Sequence, residues 1–300
     1  LKLARLNKKR QNIFALMGGF HGMTLGSLAL TTDAESREGA GVVMSNVTHI
    51  PAPYMFPELD TIKYMETLLT DDHSGVAKPA AIILESMQAD GGVYPLDAEW
   101  LRRVRAFCDK YDLLMIVDDI QAGCGRCGNF FSFERAGIVP DIVTVSKSIG
   151  GYGMPMSVVL LKPELDIWKP GQHSGTFRGN QLSFVAAKAA LQIMNEQELG
   201  NKALKDGEFI ASYLPEHVRA ISPDLEVRGI GLFWGIDFNA LPDPNISKEV
   251  ISECFRRGLI VERAGRKNAV LKIMPPLIIE REDLQRGLDI ILDSIKTVIS

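Results

Sequence analysis

Residues 113–128 read LLMIVDDIQAGCGRCG, and residues 141–151 read DIVTVSKSIGG. Each opens on a short apolar run, passes into polar residues and ends in glycine. An unbroken apolar run of this length suits a strand buried on both faces, whereas a half-exposed strand alternates. Residues 80–85 (AAIILE) and 157–161 (SVVLL) repeat the pattern. Between the first two runs, Asp97 stands where a helix N-cap belongs, and Trp100, Leu101, Val104, Phe107 and Cys108 follow at helical spacing. This predicts a helix over 97–110. Strand, crossover helix, strand is the order of a parallel α/β sheet, which carries its chemistry at the carboxyl ends of its strands.

Toward the N-terminus, LKLARLNKKRQNIFALMGGF (residues 1–20) predicts the end of a helix, a basic turn and a strand. The basic-then-apolar shape resembles a leader peptide, but residues 13–17 are too short for its apolar region, and no small-residue cleavage pattern follows. The chain is therefore expected to begin inside its large domain, with the N-terminal part of that domain missing. Toward the C-terminus, an alanine-rich helix is expected over 180–199. Beyond it the rhythm changes to half-exposed strands (227–238 and 258–262), a helix near 247–257 and a terminal amphipathic helix over 280–299. The expected division is a large domain over 1–205 and a small α+β domain over 206–300.

The chain has 300 residues, 46% hydrophobic and 23% charged, which is the balance of a globular protein with a sizeable core. A net charge of −4 argues against a nucleic-acid surface, which needs a basic face. No apolar run approaches the roughly 18 residues of a membrane span. Four cysteines (Cys108, Cys124, Cys127, Cys254) make no secreted disulfide framework, and a cytoplasmic location is expected. The five histidines are scattered and no second C-x-x-C is present, so no metal site is expected.

Three expected strand ends carry polar groups: Glu85, then Asp118, Asp119 and Gln121, then Lys147 ahead of Gly150 and Gly151. A lysine among carboxylates is either a nucleophile in an acidic site or a buried ion pair. One chemistry needs these parts together. A lysine that forms a Schiff base with an aldehyde must be held by a stiff element and be able to lose its proton. Pyridoxal phosphate also needs a carboxylate on its pyridine nitrogen, which keeps the ring an electron sink.

Residues 116–128, with Pro140-Asp141-Ile142-Val143 and Ser146-Lys147, resemble the class III (subgroup II) aminotransferases, fold-type I enzymes that use pyridoxal 5′-phosphate. The resemblance continues through Phe20-His21-Gly22, residues 85–92, residues 175–180 (GTFRGN), residues 228–232 (RGIGL) and Pro275-Pro276-Leu277, which is nearly the whole chain. It implies a mainly parallel sheet flanked by helices, with a smaller C-terminal α+β domain. It implies that Lys147 is the Schiff-base lysine and proton shuttle, and that Asp118 pairs with the pyridine nitrogen. By the same resemblance Gln121 lies near the ring hydroxyl, Phe20 stacks on the ring with His21 beside it, and Thr176 binds the cofactor phosphate of a partner subunit. A homodimer or higher homo-oligomer with composite sites follows. The family's other phosphate-binding turn would precede Leu1.

Within the class, residues 20–28, 118–125, 129–138, 146–151 and 175–181 are most similar to members that move the terminal amine of L-2,4-diaminobutyrate to 2-oxoglutarate. That reaction gives aspartate 4-semialdehyde and glutamate. Ornithine, acyl-ornithine and 4-aminobutyrate are the alternative donors. Substrate contacts are expected at Glu85, Asp90 and Lys272. In related members a Glu–Arg pair at the last two positions opens to admit 2-oxoglutarate. Here the pair is Asp90 and Lys272, shorter on the acid side and without the fork of arginine. Asp119 stands where most members have Glu, and Cys127 where Thr is usual. The resulting Cys124-Gly-Arg-Cys127 leaves open a second class of function, a redox or non-catalytic α/β protein. His21 reads equally as a packed structural histidine, and Arg228 as a packing residue.

Overall fold

A computed structural model describes residues 1–42, 44–243 and 245–299. In chain order the elements are α1 (Lys2–Lys8), β1 (Ile13–Leu16), α2 (Leu25–Leu28), α3 (Ala34–Arg37), β2 (Val47–Ile50), α4 (Thr61–Thr70) and β3 (Ala81–Leu84). Then come β4 (Met87–Gln88), β5 (Tyr94–Pro95), α5 (Ala98–Tyr111), β6 (Leu114–Asp118), β7 (Ile142–Val145), β8 (Val158–Leu161) and α6 (Gln181–Glu196). The chain continues with α7 (Leu199–Ile221), β9 (Glu226–Ile230), β10 (Phe233–Asp237), α8 (Ile246–Arg256), β11 (Glu262–Ala264), β12 (Val270–Ile273) and α9 (Arg281–Ile299). The helix, basic turn and strand expected at the start are α1 to β1, so the N-terminal segment is a fully described part of the fold. No helix among the described residues is long and apolar enough to cross a membrane.

The chain forms two compact units. The first is Leu1–Ser86, Leu96–Gln121 and Phe133–Ile193; the second is Met87–Pro95, Ala122–Ser132 and Met194–Ser300. A single cut near 205 does not describe them, because two central segments belong with the C-terminal part. The second unit also starts earlier, in the last turn of α6, and takes in all of α7.

The first unit is built on a six-stranded sheet in the order β2-β1-β3-β6-β7-β8. All its pairings are parallel except β7 with β8, so the sheet is mixed. Strands β1, β3 and β6 are buried along their whole length, as their unbroken apolar runs require. Asp97 caps α5 by accepting from the Trp100 N–H at 2.9 Å, and Asp112 ends that helix in a left-handed conformation. Trp100, Leu101, Val104, Phe107 and Cys108 form the buried face of α5. Each such side chain taken from water contributes about 1.5–3 kcal/mol.

The second unit has an antiparallel sheet, β11-β12-β10-β9, covered by α7, α8 and α9 through a core that includes Leu214, Val218, Trp234, Leu271 and Ile291. The expected single strand over 227–238 is the hairpin β9–β10, turning at Gly231 with φ 58°. The strand expected at 258–262 begins only at Glu262, because Gly258 (φ 86°) closes the end of α8.

Candidate active site

In the first unit the neighbouring parallel strands β1, β3, β6 and β7 all end on one edge of the sheet. β1 leads to Phe20 and His21, β3 to Glu85, β6 ends in Asp118, and β7 leads to Lys147. Register tightens the grouping: Leu84 pairs with Val117 and Asp118 with Thr144, so Glu85, Asp118 and Thr144 follow one another across the sheet.

Asp118 is buried and well supplied with donors. His21 Nδ1–H donates to Oδ2 at 2.8 Å, the Ile120 N–H donates to Oδ1 at 3.2 Å, and the Thr144 hydroxyl donates to Oδ1 at 3.3 Å. Since a carboxylate only accepts, the first bond puts a proton on Nδ1. Burial works against the charged imidazole, but the hydrogen bond from His21 to Asp118 and the charges of Asp118 and Glu85 outweigh it. They hold the His21 pKa above its ordinary value. The His21 N–H donates to Thr31 Oγ1 at 2.9 Å, and the Phe20 N–H donates to Glu85 Oε1 at 3.0 Å. Glu85 thus anchors the backbone of the Phe20–His21 turn.

Lys147 is exposed and opens a 3₁₀ turn with φ 52°, a left-handed conformation unusual for a residue with a side chain. Strain of this kind gathers where a side chain must be aimed. Gly151 follows at φ 67°, and a Cβ there would lie 3.1 Å from the Ala186 carbonyl oxygen.

Two buried polar atoms beside this group have no protein partner: Gln121 Oε1 and His21 Nε2. A buried acceptor left without a donor costs about 1–3 kcal/mol, so such an atom marks a place for a ligand. The expected neighbour of Gln121, a ring hydroxyl, is a donor, so the residues present fit pyridoxal phosphate on this point. Thr176 and Phe177 are exposed, and Thr176 makes no hydrogen bond to these groups among the described residues. A cavity of about 830 Å³ borders His21, Asp118 and Thr144, but neither Lys147 nor Gln121 is among its walls.

In the second unit the other expected pair is present in an unexpected form. Lys272 Nζ lies 3.4 Å from Asp90 Oδ1 and 3.0 Å from Glu262 Oε2. Glu262 is the cross-strand register partner of Lys272. Sequence reasoning missed Glu262, whose only signal is its place in a short edge strand, and missed Thr144, an unmarked strand residue. It also missed that His21 and Asp118 would pair. Arg228 packs as expected: its guanidinium donates to the Gly92 and Val93 carbonyls, pairs with Asp237 at 2.6 Å and lies 3.8 Å from the Tyr94 ring centroid. It thereby fastens the 87–95 hairpin that carries Asp90. Cys124 and Cys127 are buried and form no disulfide, and Cys127 Sγ rests 3.5 Å from Met87 Sδ. A redox pair needs an accessible thiolate, which this packing does not offer.

The class-III aminotransferase family model matches residues 1–295. A diaminobutyrate–2-oxoglutarate transaminase of Wolinella succinogenes is 49% identical over 302 residues, covering 100% of this chain and 70% of the relative. A second, of Bordetella parapertussis, is 47% identical over 304 residues, covering 100% of this chain and 69% of its own. The crystal structure of a taurine:2-oxoglutarate aminotransferase from Bifidobacterium kashiwanohense, in complex with pyridoxal phosphate and glutamate, superposes with TM-score 0.88 at 24% identity. It covers 99% of this chain and 72% of that one, a likeness of fold.

Proposed function

Because this chain belongs to the class-III aminotransferases, we propose that it transfers the terminal amine of L-2,4-diaminobutyrate to 2-oxoglutarate with pyridoxal 5′-phosphate as cofactor. The observation that supports this reading best is the identity of 47–49% across the whole chain with two diaminobutyrate transaminases. That level of identity favours this donor over ornithine, acyl-ornithine or 4-aminobutyrate.

Lys147, Asp118, Gln121 and Phe20 would hold the cofactor in one subunit, and Thr176 would hold the phosphate belonging to another. When bound, the cofactor supplies a carbonyl that captures the amine and a ring that takes up electron density. Lys147 Nζ would take the proton from the amine-bearing carbon of the substrate as a general base and then return it as a general acid. Its position on a short turn at a strand end fixes its reach. Asp118 would serve the ring nitrogen, its carboxylate held by donors from His21, Thr144 and the Ile120 N–H. Glu85 holds the Phe20–His21 turn and would position the face against which the ring lies, beside the substrate contact expected of it. Lys272 and Asp90 supply charge for the substrate.

The assembly we propose is a homodimer or higher homo-oligomer. In α6 only Ser183 and Ala187 are buried, while Leu182, Phe184 and Val185 are exposed, as is Phe177 at 94%. Apolar side chains exposed together in this way suit a face covered by a second copy. Four buried cysteines outside any disulfide suit a cytoplasmic location.

A panel of amine donors with 2-oxoglutarate, followed by glutamate formation, tests the reading. Diaminobutyrate is expected to give the highest kcat/KM. A higher value with ornithine, acyl-ornithine or 4-aminobutyrate would overturn the donor. Light scattering tests the assembly; a monomer in solution would refute it.

A further inference from the structure

We propose that Thr31 is a positioning residue of this enzyme: through one buried hydroxyl it fixes the backbone at His21, and with it the aim of the His21 ring at Asp118. The proposal rests on the reading that Asp118 serves the ring nitrogen of the cofactor, and it deepens that reading. A hydroxyl can accept one hydrogen bond while it donates another, which a methyl group in its place cannot. Thr31 does both. Its Oγ1 accepts from the His21 N–H at 2.9 Å and donates to the Gly22 carbonyl at 2.9 Å, and the residue is fully buried. The two bonds bracket residues 21 and 22, so that backbone cannot turn without leaving a buried polar group unpaired. Thr32 fastens the other side of Phe20. Its Oγ1 accepts from the Gly18 N–H at 2.9 Å, and its own N–H donates to the Gly19 carbonyl at 3.0 Å.

Residues 18–22 are glycine-rich and have little shape of their own. Gly18 and Gly22 stand at φ 82° and 107°, where glycine is at ease, and a Cβ on Gly19 would come within 3.0 Å of His21 Nε2. Rigidity has to be lent by the neighbouring segment, and that segment is itself anchored. Asp33 caps α3 by accepting from the Ser36 N–H at 2.7 Å. Arg37, the last residue of α3, turns back and donates to the Leu28 carbonyl at 3.0 Å and to the Thr31 carbonyl at 2.8 Å. Arg37 thus holds Thr31 by its backbone while the Thr31 hydroxyl holds the loop. Glu85 takes the Phe20 N–H at 3.0 Å, so Thr31 is the second of two anchors on adjacent backbone N–H groups. From that backbone the His21 Nδ1–H reaches Asp118 Oδ2 at 2.8 Å, and such a bond weakens steeply once it is bent or stretched. The order of dependence runs from Arg37 to Thr31 to His21 to Asp118, and all four lie in the first unit.

The test compares the holoenzyme with its Thr31→Val, Thr31→Ser and His21→Gln variants and with the double variant Thr31→Val/His21→Gln. It reads kcat, KM, the Kd of pyridoxal phosphate and the visible absorption band of the bound cofactor as a function of pH. In Thr31→Val, kcat should fall about 10²-fold, the scale of an ångström-sized misplacement, with a much smaller change in KM. The cofactor Kd should rise about tenfold, the scale of one weakened hydrogen bond, and the band should titrate at a different pH from that of the wild type. Thr31→Ser keeps the hydroxyl and should restore most of each quantity. Since Thr31 acts through His21, adding Thr31→Val to His21→Gln should change kcat by no more than about twofold, the usual error of additivity. A threonine that only supports the fold would lower stability and leave the cofactor untouched. A wild-type Kd and band in Thr31→Val, or an undiminished further loss in the double variant, would therefore overturn the role. If Thr31→Val does not fold, Arg37→Gln decides on the same readouts. A smaller change in the same direction, partly restored by Arg37→Lys, upholds the role, and wild-type values overturn it. Asp118→Asn separates this assignment from the reading beneath it. If Asp118→Asn keeps the wild-type rate and band, the ring-nitrogen reading fails and this assignment with it. If Asp118→Asn alters both and Thr31→Val alters neither, this assignment alone fails.

Discussion

Asp118 and Lys272 are both buried charged groups on central strands, yet their surroundings differ in kind. Asp118 is gripped by His21, Thr144 and a backbone N–H. Lys272 is shared between two carboxylates, neither of them buried. The first arrangement leaves one geometry. The second gives the ammonium two partners, of which Glu262 is the nearer.

The comparison breaks most completely at Lys147. Lys147→Ala should lower transamination by several orders of magnitude, as expected when a covalent and proton-transferring group is lost. Its circular dichroism should remain that of the wild type, since the side chain is exposed. Appreciable turnover would remove the lysine from its proposed role.

Asp118→Asn tests the fixed site itself. Activity should fall about 10²–10⁴-fold, the range for losing a group that governs a proton, while bound cofactor, measured by absorbance, stays near one per subunit. An enzyme of wild-type rate would refute the pairing with the ring nitrogen.

Arg228→Ala tests the frame of the adaptable site. The Arg228–Asp237 pair is about nine-tenths buried on both sides. Removing one partner leaves an uncompensated charge and should cost about 3 kcal/mol, read from urea unfolding of the second unit. A loss of a few tenths would show that the hairpin holds without its clamp.

The smallest effect sharpens the contrast through pH. Burial disfavours the His21 imidazolium, but the Asp118 hydrogen bond and charge, with the charge of Glu85, raise its folded pKa. A raised folded value stabilises the fold fully below the unfolded pKa of about 6.5, and the gain is lost as pH rises through the folded value. The Tm advantage of wild type over His21→Gln should therefore narrow as pH rises above about 6.5. A constant difference would mean that His21 does not change its charge as pH rises.

Much of the fixed site was legible because it follows from strand ends. The runs ending in Glu85, Asp118 and Lys147 are adjacent parallel strands, and parallel topology brings their carboxyl ends together whatever the side chains are. The relation between Asp118 and Asp119 was less legible. Alternation along a strand places them on opposite faces, and only the structure shows that Asp119 too is fully buried, with its N–H on the Thr144 carbonyl. The adaptable site was half legible. Asp90 and Lys272 were named from resemblance, but Glu262 was not, because β11 is three residues long and carries no alternation to read.

The sequence by itself determined the alternation of buried strands and helices, the lysine after β7 and the carboxylate at the end of β6. Each of these is a local matter of apolar period, capping and chain order. Only the tertiary structure decided which partners the charges take. His21 lies far from Asp118 in the chain, as Asp90 does from Lys272, and Arg228 reaches back to close on Gly92. Such pairings depend on strand register and on where hairpins dock. A register shift of one residue would send every side chain of a strand to its other face, and no local pattern in the chain fixes that choice.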